Sequence, residues 1–101
     1  MKPPTFDPIT PAEASTLHGL FRARVERTPH APAYRGFDRE AGRWRTFSWD
    51  ETASLTLLWR KGMEAENLPP GERVALLLPN RLEWVLAEQA ALGQGLITVP
   101  L

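Results

Sequence analysis

The 101-residue sequence contains no cysteine, so it has no disulfide framework, no thiol nucleophile and no thiolate metal site. Histidine is almost as scarce. His18 falls in an early helical stretch and His30 in a loop beside prolines, with no ligand-like spacing to each other or to a carboxylate, and both are expected at the surface. Glycines do not cluster ahead of a lysine and a Ser or Thr, which removes the loop that cradles phosphates with backbone amides and a cation. Gly93-Gln94-Gly95 lies between a helix and a strand, the reverse of the order a dinucleotide fingerprint needs, and reads as a helix cap and a tight turn. No stretch approaches the roughly 20 apolar residues that span a bilayer, so any membrane contact would be peripheral. Net charge is also absent, with 12 basic and 12 acidic residues, and no global field argues for nucleic acid. The balance tilts only locally, where Arg22, Arg24, Arg27, Arg35, Arg39, Arg43 and Arg45 outnumber Glu26, Asp38 and Glu40. The plain reading of that stretch is a solvated face; the sharper one is a weakly basic docking surface for a phosphorylated carrier or a membrane.

What is present has the order of an α/β chain, at most one small domain. Residues 1–15 are proline-rich and lack the apolar core of a signal peptide, and they read as a disordered lead-in. Ser15 or Thr16 can cap a helix with Leu17, Leu20, Phe21 and Val25 on one stripe, ended by Pro29. Residues 33–37 and 43–47 alternate around a turn, predicting a β-hairpin packed through Tyr34, Phe37, Trp44 and Phe47. Ser48-Trp49-Asp50-Glu51 is a capping box that opens a second helix, with Thr52, Leu55, Trp59 and Met63 inward and Leu58 alongside. Residues 74–78 form an apolar run between Gly71 and Pro79, the pattern of a strand buried on both faces. A second capping box, Asn80-Arg81-Leu82-Glu83, starts a third helix with Leu82, Val85, Leu86 and Ala90 inward. Gly93 is expected to close it in the left-handed conformation. Residues 96–99 complete a strand, helix, strand unit.

Few residues invite chemistry. Ser48 has no neighbouring base and is accounted for as a cap. The carboxylate pairs Glu64 and Glu66, and Asp50 and Glu51, fall at helix ends and on exposed faces. Trp44 and Trp59 fit core positions by spacing, while Trp84 could pack at the end of the sheet near a crevice.

Three passages, taken in order, resemble the opening of the adenylate-forming (AMP-binding) enzymes. Thr16-Leu17-His18-Gly19-Leu20-Phe21 through Thr28-Pro29-His30-Ala31-Pro32-Ala33-Tyr34-Arg35 is similar to the family's first helix and the entry to its first strand. Phe47-Ser48-Trp49-Asp50-Glu51-Thr52 is similar to the start of its first core motif, with Trp for the usual Tyr and Thr for Leu. Gly71-Glu72-Arg73-Val74-Ala75-Leu76-Leu77-Leu78-Pro79-Asn80, Glu83-Trp84, Ala90-Ala91-Leu92-Gly93 and Val99-Pro100-Leu101 resemble the second core region. Tyr34-Arg35, Trp44 and Val99-Pro100-Leu101 look most like the long-chain fatty-acid–CoA ligase branch.

The resemblance implies that residues 16–101 are the incomplete N-terminal part of an AMP-binding synthetase/ligase domain, a fragment inactive alone. The parent would use ATP, Mg2+ and coenzyme A to turn a fatty acid into a CoA thioester through an acyl-adenylate. The phosphate loop, adenine strand, ribose aspartate and catalytic lysine of that family all fall beyond position 101. No catalytic, cofactor or metal residue is therefore carried onto this chain. The implied setting is cytoplasmic, with peripheral membrane association an option. The alternative is a free-standing α/β interaction module without enzymatic activity, binding a partner through an exposed sheet edge.

Overall fold

Thr16 adopts an extended backbone and its hydroxyl accepts from the Gly19 amide at 2.9 Å, which fixes the start of a helix. That helix is one of eight elements in a computed structural model describing residues 6–101. In chain order they are α1 (Pro11–Ala14), α2 (Leu17–Arg27), β1 (Pro32–Asp38), β2 (Arg43–Ser48), α3 (Trp49–Glu64), β3 (Arg73–Leu76), α4 (Leu82–Gly93) and β4 (Ile97–Pro100). β1 and β2 pair antiparallel, and β3 and β4 pair parallel across α4. The architecture is α/β: helix, hairpin, helix, then strand, helix, strand.

Residues 1–5 of the proline-rich lead-in lie outside the described residues. The remainder of it differs from the unstructured segment that composition suggests. Thr10 and Glu13 form a capping box around the single turn of α1, with Pro11 in the first helical position, where its missing amide costs nothing. Asp7 accepts from Arg24 at 3.3 Å and from Arg27 at 3.1 Å, and Arg27 also reaches Glu13 at 3.2 Å. Arg24 donates a further bond to the Asp7 carbonyl. Arg24 and Arg27 of α2 hold the segment against that helix.

The hairpin and its neighbouring helix form as expected, with Ser48 as cap. The Ser48 hydroxyl accepts from Glu51 N at 3.0 Å, and the Glu51 carboxylate accepts from Ser48 N at 3.3 Å. That backbone bond, the Ser48 side chain and nearby Arg45 hold the Glu51 carboxyl below its usual range. The packing of the hairpin is different from the expectation. Phe47 is buried and Tyr34 half-buried, while Phe37 is 50% and Trp44 61% exposed. The register explains this: Tyr34 faces Phe47 and Phe37 faces Trp44, an odd number of residues along, and successive strand side chains take opposite faces. The four aromatics cannot share one surface.

Burial along the helices also departs from the sequence stripes in places. Phe21 is buried but Leu17 and Leu20 are exposed, and on α3 Thr56 is buried where Leu58 is 64% exposed. Leu55, Trp59 and Met63 are half-buried. On α4 the buried residues are Leu86, Ala87, Ala90 and Ala91, with Leu82 and Val85 half-buried. The second capping box does not form. Arg81 is the N-cap with no side-chain bond to the helix, and the Glu83 carboxylate lies 3.6 Å from its guanidinium. Gly93 is the last helical residue; the left-handed backbone falls two residues later, at Gly95 (φ 72°).

The strand expected over residues 74–78 is shorter and less buried. Among the described residues it pairs only with β4; Leu76 is buried, Val74 is half-buried, and Leu77 and Leu78 are exposed. A parallel pair reaches the two-sided burial that such a run suggests only when further strands and a second layer cover it.

Candidate functional site

A cleft of about 370 Å³ lies between α2, α4, β1 and the start of α3. Its walls are mostly apolar: Ile9, Leu17, Leu20, Phe21, Trp49 and Leu92. The Trp49 ring meets Phe21 edge-on with centroids 6.2 Å apart and Tyr34 edge-on at 5.7 Å, so the three aromatics form one wall. Arg24, Tyr34, Glu88 and Gln89 supply the polar atoms. Burial, followed by the Glu88 charge, pushes the Tyr34 hydroxyl above its usual range and keeps it protonated. Gln89 Oε1 is buried without a hydrogen-bond partner. The cleft suits an apolar group carrying a hydrogen-bond donor, and offers no nucleophile with an adjacent base.

Sequence reasoning did not mark Trp49, Tyr34 and Gln89 as neighbours, because their approach depends on the docking of α4 against the hairpin. His18 also departs from the surface position expected of it. It is half-buried, its Nδ1 is buried without a partner, and the missing Cβ of Gly93 leaves the space its ring occupies. Burial and then Arg22 and Arg60 hold its pKa below the ordinary value of 6.5. His30 is exposed. Trp84 is half-buried at the first turn of α4.

A nucleotide with magnesium needs clustered backbone amides, a free cation and carboxylates converging on one point. Arg24 in the cleft is already engaged by Asp7 and Thr28. No group of three or more His, Cys, Asp and Glu side chains converges among the described residues. The residues present do not fit ATP, magnesium or coenzyme A.

The profile of AMP-binding enzymes matches residues 21–101. The chain belongs to the AMP-binding enzyme family. It is 32% identical over 94 residues to the long-chain-fatty-acid–AMP ligase FadD26 of Mycobacterium tuberculosis, across 90% of this chain and 16% of that protein. It is equally identical over 94 residues to the 4-hydroxyphenylalkanoate adenylyltransferase of the same species, across 86% of this chain and 14% of that protein. Among solved structures, the O-succinylbenzoate coenzyme A synthetase of Bacillus subtilis, in complex with ATP and magnesium ion, superposes with a TM-score of 0.71 at 26% identity. It is matched across 80% of this chain and 20% of its own. The fatty acyl-adenylate ligase of L. pneumophila shares the fold, with a TM-score of 0.76 at 23% identity over 89% of this chain and 16% of its own. The chain thus spans about 16% of the length of the first curated relatives it matches. Its elements have the fold of the N-terminal region of adenylate-forming enzymes.

Proposed function

We propose that this chain is the N-terminal segment of an ATP-dependent enzyme that activates a fatty acid by joining its carboxylate to AMP, with release of pyrophosphate. Within it, the segment supplies scaffold and no catalytic group. The observation that carries the reading is the identity to a long-chain-fatty-acid–AMP ligase along nine-tenths of this chain. The catalytic groups for adenylation, and those that hold ATP and magnesium, belong to the part of the enzyme that this chain does not span. On this reading the isolated chain is inactive, and the parent works in the cytoplasm.

Whether the adenylate passes on to coenzyme A is a second question with its own evidence. The relatives at 32% identity are named for an AMP ligase and an adenylyltransferase, which favours the adenylate as product. A Mycobacterium tuberculosis fatty acyl CoA synthetase at 25% identity and a TM-score of 0.68 favours the thioester read from the sequence.

The test uses the nucleotides that follow the codon for Leu101, and then the protein they encode. They should specify further alternating strands and helices and a Ser/Thr/Gly-rich loop ending near a lysine. The encoded enzyme should release pyrophosphate in the presence of a fatty acid, and omission of coenzyme A shows which product it makes. Unrelated sequence there would refute the proposal and leave the free-standing interaction module.

A further inference from the structure

The exposed tip of the hairpin holds a cluster that the proposed adenylation chemistry does not use. Phe37 and Trp44 are cross-strand partners one pair from the turn, and their rings meet edge-on at 5.6 Å. Both are half or more exposed, on the face turned away from Tyr34, Phe47 and Trp49. The Arg35 guanidinium lies 5.6 Å from the Trp44 ring centre, so a cation caps the aromatic pair on the same face. Arg39 in the turn is a second exposed cation, and Arg43 at the start of β2 is a third, set at the tip on the opposite face of the hairpin from Trp44. None of these three arginines forms an ion pair among the described residues, in contrast to Arg24, Arg27, Arg45, Arg60 and Arg81.

The nearby acids offset them only in part. The Asp38 carboxylate accepts from the Glu40 and Ala41 amides at 3.0 and 3.1 Å and is committed to the turn, which leaves Glu40 as the one uncommitted acid at the tip. An exposed Trp beside an exposed Phe, rimmed by unpaired guanidiniums, has the composition of a surface that seats at lipid headgroup level. The rings enter the interface and the cations meet anionic headgroups. Among the described residues no helix is long and apolar enough to cross a membrane, so a surface contact is the mode open to them.

We propose that the β1–β2 hairpin tip, through Phe37, Trp44, Arg35, Arg39 and Arg43, docks this protein peripherally on an anionic lipid surface. The proposal stands apart from the adenylation reading and does not rest on it. It is tested with the full chain and sedimentable vesicles of phosphatidylcholine alone or of an equimolar mixture with phosphatidylglycerol. Binding is expected on the anionic vesicles only, weakening with added salt because the charges are exposed. An interfacial arginine contributes roughly fivefold to partitioning, so Arg35→Gln, Arg39→Gln and Arg43→Gln together should lower it about a hundredfold. All three side chains are exposed, so the variant keeps its fold. Trp44→Ala should weaken binding and remove the part of the fluorescence blue shift that anionic vesicles induce. Equal binding to both vesicle types, or binding unchanged in the triple variant, overturns the proposal. So does binding to an acidic phosphopantetheinylated carrier protein with none to vesicles, which would assign the tip to a protein partner.

Discussion

Replacing Gly19 with Ala decides by its sign whether α1 is part of the folded protein. Gly19 is the third residue of α2, and on helix propensity alone Ala there should stabilise by up to about 1 kcal/mol. The structure predicts the opposite. A Cβ at this position would sit 1.9 Å from the Ala14 carbonyl oxygen and 3.0 Å from Thr16 Oγ1. Carbon and carbonyl oxygen do not approach much closer than about 3.3 Å, so the backbone at the end of α1 must retreat by more than about 1 Å. That backbone cannot swing aside as a side chain tip would. Its carbonyl accepts from the Thr16 amide at 2.8 Å, and its helix is tied to α2 through Glu13 and Arg27. Overpacking of this kind costs about 1–3 kcal/mol, and after the propensity gain the net loss should be about 1 kcal/mol. For a chain of this size that lowers the melting temperature by about 5 °C. Thermal unfolding followed by circular dichroism measures the shift, and amide exchange over residues 8–16 should show protection lost there first. In a chain that begins at Thr16 the same substitution should become stabilising. A rise in melting temperature in the intact chain would refute the latch between α1 and α2.

Three further outcomes follow from the helix ends, the half-buried histidine and the lack of a phosphate site among the described residues. In urea titration, Ser48→Ala should cost about 1 kcal/mol, whereas Asn80→Ala, whose side chain caps nothing, should change stability by less than about 0.5 kcal/mol. His18 has its pKa lowered in the folded state, chiefly by burial. Above its ordinary pKa of 6.5 it contributes no pH dependence, and below it the unfolded chain takes up a proton first and stability falls until the depressed folded value is passed. Melting between that pH and the carboxylate range should therefore flatten in His18→Gln. Calorimetric titration of the chain with ATP and magnesium should give no binding heat, and a saturable heat would reveal a phosphate site in the segment.

The local signals were legible where the partner of a group lies within one turn. Thr16 and the pair Ser48 and Glu51 cap as the sequence indicates, because both members of each bond are three residues apart. The same spacing at Asn80 and Glu83 misleads, since the Arg81 guanidinium competes for the Glu83 carboxylate and the helix begins one residue later. Period-two alternation placed the hairpin correctly. The same parity, applied to Tyr34 with Phe37 and to Trp44 with Phe47, would have shown Trp44 on the outer face. Burial was the least legible property, because it depends on what else is present. Leu77 and Leu78 read as core by composition, yet among the described residues β3 pairs with β4 alone and leaves them in solvent. The family was legible from the order of short motifs. The aromatic cleft was not, because Trp49, Tyr34 and Gln89 are drawn from three separate elements.

The interior face of α4 is built largely of Ala87, Ala90 and Ala91, and that of α3 of Thr52 and Thr56, whose hydroxyls donate to carbonyls one turn back at 2.8 Å. Alanine loses no rotamer freedom on burial, and threonine is already restricted at χ1 and tethered here by its own helix. The joint between these helices therefore forms with little ordering of side chains, unlike an interface of leucines or methionines. Heat should loosen it late: methyl order parameters at Ala87, Ala90 and Ala91 should stay high at temperatures where Leu17 and Leu20, exposed on α2, already sample several rotamers.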